Sequence, residues 1–213
     1  MKYLLLCLLL LATAGTCIVQ GEYRCIPGEI YYTYSVPAGW NVIGIGCCGL
    51  VASDSANPAR GVIAINHLPR ASLLPAYTTP ESYLENYMPQ DFSGENRVTN
   101  MRILFYEEDQ SLAEGMASYF GFMSSGKSMR CSFEVNGIPA QGSFTVVTNE
   151  LMGQGTTLNF LAGGYAPADQ FDMEAPNLLD ILNSIKFNYD YRGICGLISG
   201  GGKNNSELPI IEY

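Results

Sequence analysis

The sequence predicts an α+β domain, an antiparallel β-sheet with helices packed on it. Three observations point that way. Strand-like segments follow one another between two helical segments instead of alternating with helices, which is the layered α+β solution and not a run of βαβ units. Asn136-Gly137 lies between two of those strand segments, and this dipeptide suits a hairpin turn with positive φ at both central positions. Near the end of the chain Leu178, Ile181, Leu182 and Ile185 repeat at i, i+3, i+4 and i+7 after Pro176, giving one apolar helix face to lay on a sheet.

The elements follow from the N-terminus. Met1-Lys2-Tyr3 precedes an apolar run over 4–11 and then Ala12-Thr13-Ala14-Gly15-Thr16, the order of a signal peptide. The run is about half the roughly 20 apolar residues a membrane-spanning helix needs, so no transmembrane segment is expected once residues 1–16 are removed. Cleavage is expected near 14–17, and two readings stay open. Ala12-Thr13-Ala14 fits an ordinary small-x-small site, whereas Cys17 stands where a lipoprotein carries its acylated cysteine.

Residues 17–28 read as a linker and 29–192 as one globular domain. The hydrophobic content of 47% is enough for a sizeable core. Aromatic and polar residues alternate over 29–36, Pro37-Ala38-Gly39 turns, and Trp40-Asn41-Val42 begins a second strand. Gly61-Val62-Ile63-Ala64-Ile65-Asn66 is β-branched and reads as a buried strand. Thr79-Pro80-Glu81 supplies a helix cap, a first-turn proline and a first-turn acid, followed by Tyr83, Leu84, Tyr87 and Met88 on one face, with Pro89 as the stop. Strands are expected over 102–106, 117–123, 128–135, 142–148 and 156–162, and a short one over 186–191. Residues 193–213 read as a tail rich in serine, glycine and asparagine, in which Asn204 opens an Asn-Asn-Ser glycosylation triplet.

The order of elements resembles the PsbP-like fold, an α/β/α sandwich shared by photosystem accessory proteins, the Ran-binding protein Mog and secreted prokaryotic proteins. The residues that carry the resemblance are Tyr34-Ser35-Val36-Pro37-Ala38-Gly39-Trp40-Asn41-Val42, Thr79-Pro80-Glu81-Ser82-Tyr83-Leu84, Asn136-Gly137-Ile138-Pro139-Ala140, Gly164-Tyr165-Ala166-Pro167, Phe171 and Ile181-Leu182-Asn183-Ser184-Ile185. The resemblance spans 29–188. It implies accessory or binding roles and supplies no catalytic motif. Cys25, Cys47, Cys48 and the glycines after Val42 depart from the pattern.

The net charge of −9 becomes −10 without Lys2, and the remaining bases are scattered singly. Such a surface repels phosphate backbones and anionic membranes, which argues against nucleic-acid binding and leaves a protein or small-molecule ligand as partner. No phosphate loop, EF-hand spacing or other cofactor motif is present, so no cofactor is expected.

Six cysteines follow the leader: Cys17, Cys25, Cys47, Cys48, Cys131 and Cys195. In an oxidising compartment an even set reads as disulfides, with fifteen pairings open. Cys25 with Cys195 is the preferred bridge because the two flank the patterned region, and a loop that long could stabilise by roughly 4 to 5 kcal/mol.

Three other residue groups could carry function. His67, the only histidine, could act as a base with Cys47 or Cys48, or instead sit half-buried at a strand end. The acids Glu107-Glu108-Asp109, with Glu114, could serve a hydrolase or hold calcium, or instead form a solvated strand end. Trp40, Tyr31, Tyr32, Tyr34 and Tyr165 could line a groove, or be core on one strand face and cross-strand pairs on the other. The leading expectation is a secreted or envelope-located non-catalytic accessory or binding domain. The alternatives are an enzyme built on His67, or an envelope protein held by a lipid on Cys17.

Overall fold

Asn136-Gly137 does close a hairpin, and it is the longest one among the described residues. In the computed structural model, which describes residues 17–23, 32–45, 49–66, 73–91, 96–120 and 123–187, φ is 53° at Asn136 and 82° at Gly137. This turn joins two strands of 13 residues each, β7 (Met123–Val135) and β8 (Ile138–Glu150), paired without a slip along their whole length. Around them a seven-stranded sheet runs in the order β3-β4-β5-β9-β8-β7-β6, every pair antiparallel. Its other members are β3 (Trp40–Ile45), β4 (Gly49–Asp54), β5 (Gly61–Asn66), β6 (Val98–Glu108) and β9 (Thr156–Pro167). A smaller sheet pairs β1 (Ile18–Tyr23) and β10 (Lys186–Phe187) on either side of β2 (Tyr32–Pro37). The α+β class expected from the sequence is therefore the class observed.

Both faces of the large sheet are covered. On one side α1 (Pro80–Asn86) and α2 (Met88–Asp91) bring Tyr83, Leu84 and Met88 onto Ile63, Ile65, Met129, Phe133, Phe144, Val146 and Leu161. Thr79 caps α1 as its residue type predicts, its hydroxyl accepting the Ser82 amide at 3.2 Å, and Pro80 takes the first turn where its missing N–H costs nothing. On the other side α4 (Phe171–Ser184) buries Phe171, Leu178 and Ile181 against Leu50, Ala52, Val62, Ala64 and the small sheet. It lies so close to β9 that a Cβ on Gly164 would fall 2.9 Å from the Leu178 Cβ. Arg130 reaches from β7 to Asp172 at 2.7 Å, and Arg60 from the β4–β5 turn to Glu174 at 3.2 Å, fixing the start of that helix.

Four departures from expectation each have a physical reason. Residues 18–23, expected as linker, form β1 because β2 offers them a free edge. Pro89 does not stop a helix but opens a second short one: Tyr87 ends α1, and proline is tolerated in the first turn of α2. A helix, α3 (Gln110–Phe120), occupies much of the segment expected as a strand over 117–123. Helix α4 begins at Phe171 and carries Pro176 inside it; Phe171, Leu178 and Ile181 share one face, and their burial, worth about 1.5–3 kcal/mol each, offsets the lost backbone hydrogen bond.

Candidate functional site

Three of the four acids, Glu108, Asp109 and Glu114, are spent on structure. Glu107 and Glu108 end β6 in solvent, as the plainer expectation had it. Glu108 pairs with Lys127 at 2.9 Å, and the same ammonium bonds Glu81 of α1 and lies 4.5 Å from the centre of the Tyr106 ring. Partial burial is the largest single influence on Glu81 and works against its charge, but hydrogen bonds from Lys127, from its own backbone amide and from Thr79, with the Lys127 charge, together outweigh it and hold the carboxyl below its ordinary range. Burial likewise disfavours the Lys127 ammonium, and its two carboxylate partners still raise its pKa. Asp109 is the cap of α3: its carboxylate accepts the Leu112 amide at 3.1 Å and its carbonyl the Ala113 amide at 3.0 Å. Glu114 accepts from Gln110 at 2.7 Å one turn away. Among the described residues no group of three or more His, Cys, Asp or Glu side chains is arranged to hold a metal.

Two cysteines expected in bridges are free thiols. Cys131 faces the α1 side of the sheet between Met129 and Phe133, fully buried, and burial pushes its pKa up to about 12, with the Glu85 carboxylate adding to the rise. Strand alternation explains this: from Met129 to Val135 the odd positions of β7 point into the core, where the thiol packs as a small hydrophobe. Cys17 is exposed just before β1, its carbonyl accepting the Ala38 amide at 2.6 Å. His67, Cys25, Cys47, Cys48, Cys195 and Asn204 lie outside the described residues.

Among the described residues these aromatics form no common groove. Tyr32, Tyr34 and Trp40 join the core under α4, where Tyr32 meets Phe187 edge-on at 5.8 Å. Tyr165 belongs to the opposite core, edge-on to Phe133 at 5.8 Å, and burial pushes its phenol up to about 12. Tyr31 lies outside the described residues.

The surface that stands out was not singled out in the sequence. Strand register places two loops together at one end of the large sheet, residues 73–78 before α1 and the β8–β9 turn 151–155. Leu74 and Thr156 exchange backbone hydrogen bonds of 2.9 and 3.0 Å, and Glu150 ties the rest. Its carboxylate accepts the Tyr77 amide at 2.7 Å, the Gly153 amide at 2.7 Å and the Thr156 hydroxyl at 2.9 Å. The Tyr77 bond is the main reason this carboxyl sits below its ordinary range. Around this knot the apolar side chains point outward: Tyr77 is 76% exposed, Met152 84% and Met123, opposite Glu150 on β7, 79%, with Leu73 beside them. Tyr77 and Met152 have φ of 64° and 53°, the left-handed region that a side chain makes costly. The one available sequence signal is Met152-Gly153, a hairpin dipeptide with methionine where asparagine would be expected.

No protein-family profile matches the chain, and no curated protein matches it. Similar solved structures include a cyanobacterial PsbP from Synechocystis sp. PCC 6803, 10% identical over 83% of this chain and 96% of that one, with a TM-score of 0.39. LpqN of Mycobacterium tuberculosis, involved in cell envelope biogenesis, is 14% identical over 80% of this chain and 91% of its own, at a TM-score of 0.34. The Ran-binding protein Mog1p of Saccharomyces cerevisiae is 11% identical over 81% of this chain and 96% of its own, at 0.33. A PsbP and a Mog protein are the kinds of protein the sequence resembles. No described helix is long and apolar enough to cross a membrane.

Proposed function

We propose that the chain is an exported, non-catalytic binding or accessory domain that works through the apolar end of its large sheet. The observation that carries this reading is the division of labour among its polar and apolar groups. Glu108, Asp109 and Glu114 are held by Lys127, by the start of α3 and by Gln110, and Glu150 is committed to two backbone amides and a hydroxyl. Large apolar side chains are meanwhile held out in solvent on strained backbone. Strain of this kind persists where contact with something else is the task.

Thiol titration of the native protein tests the reading against catalysis. The expected result is that Cys131 stays silent until unfolding and that neither Cys47 nor Cys48 reacts faster than an ordinary free cysteine. A rapidly reacting thiol at Cys47 or Cys48, titrating well below the usual cysteine range, would replace the binding domain with a thiol enzyme built on those residues and His67.

A further inference from the structure

The apolar end has three properties that together point to one kind of partner. First, its two loops carry no charged side chain, and the one carboxylate between them, Glu150, is turned onto their own amides and a hydroxyl. Residues 73–78 read Leu-Leu-Pro-Ala-Tyr-Thr and 151–155 Leu-Met-Gly-Gln-Gly, without an acid or base, in a chain whose net charge is −9.

Second, it is one continuous surface. A Cβ on Gly153 would stand 3.7 Å from the Tyr77 hydroxyl, and one on Gly155 would fall 2.7 Å from the Leu73 Cβ, so each side chain of the first loop lies along the second. The apolar groups crown two adjoining loop tips.

Third, most of its amides are already paired. The amides of Leu74, Tyr77, Thr78, Leu151, Gly153, Gln154 and Thr156 donate within the end itself, and Pro75 has none to offer. A protein partner could supply hydrogen bonds to open amides. Hydrocarbon cannot, and a loop entering it must bring its donors satisfied.

We infer that this end is a shallow insertion site for an uncharged lipid interface, one of zwitterionic headgroups. Tyr77 rests at headgroup level, where an amphipathic ring is at home, and Met152, Met123 and Leu73 reach the first methylenes. The acidic remainder of the chain makes anionic lipid a poorer surface, and so few inserted side chains hold only weakly and reversibly. The Met152 backbone fits this role, because its left-handed φ holds out a side chain that the turn itself would rather replace with asparagine.

The inference rests on reading the chain as a binding domain. Its test is separate, since a failed lipid experiment leaves the thiol titration and the broader reading untouched. The full chain as exported is sedimented with phosphatidylcholine vesicles and with vesicles that also contain phosphatidylglycerol. Wild type should partition onto phosphatidylcholine and gain nothing from the anionic lipid. Met152→Asn should raise Tm, because asparagine tolerates the left-handed turn, and lower partitioning by roughly ten-fold, so that lost binding cannot be blamed on unfolding. Met152→Asn with Tyr77→Ser should abolish it. The proposal falls if wild type does not partition, if it partitions only onto anionic vesicles, or if the double variant partitions as wild type does. It also falls if the end is found covered by a soluble protein while vesicles are ignored.

Discussion

The two ends of the large sheet close with closely similar turns and different residues. At one end Asn136 and Gly137 have φ of 53° and 82°; at the other Met152 and Gly153 have 53° and 79°. Asparagine at the first position is the residue such a turn favours, and Asn136 also serves locally, its carboxamide oxygen accepting the Arg97 amide at 2.8 Å and its nitrogen donating to Asn96 at 3.1 Å. Methionine does nothing comparable for its turn. The difference teaches that the first turn carries the residue its backbone favours, whereas the second keeps one that does nothing for its turn.

Three measurements would break or sharpen the contrast. The largest effect is expected from Phe144→Ala in the middle of β8, between Phe133 and the backbone of Gly163, which should cost about 3–5 kcal/mol of unfolding free energy. Both ends should then lose amide protection together, and separate loss at the Met152 end alone would mean that it folds as an independent unit. Next comes the exchange of turn residues, where Asn136→Met should destabilise and Met152→Asn stabilise, each by up to about 1 kcal/mol in denaturant unfolding. Effects of equal sign would show that the two turns are not equivalent. The smallest effect is expected from pH. Because the Glu150 carboxyl sits below its ordinary range in the folded protein, its support is present above the unfolded carboxylate range and fades as pH falls through its folded value. Acidification into that range should speed amide exchange at Tyr77 and Gly153 and leave the turn at Asn136 unchanged, because no carboxylate accepts its amides.

Much of the architecture was legible where local rules and the fold agree. Asn136-Gly137, Thr79-Pro80 and the β-branched run from Gly61 each stated their element, and the pattern at Leu178, Ile181 and Ile185 stated the face of α4. Helix α3 was hidden because Ala117, Tyr119 and Phe120 suit a strand as well as a helix, and the cap at Asp109 was read as part of a charge cluster. The candidate site was nearly illegible. Its parts come from three separated stretches that only strand register brings together, and its central carboxylate looks in the sequence like any surface acid. Cys131 misled for a related reason: counting cysteines cannot see that position 131 of β7 faces inward.

The hydrogen bond from Ala38 to the carbonyl of Cys17 sets a direction for the whole molecule. It sits beside the β2–β3 turn, at the opposite end of the strands from Met152, and leaves no slack between that cysteine and the folded body. A strand the length of β8, 13 residues, spans about 40 Å. Anything attached at Cys17 would hold the methionine tips at roughly that distance, pointing away from the attachment. Tethered there, the protein would act as a strut across a gap.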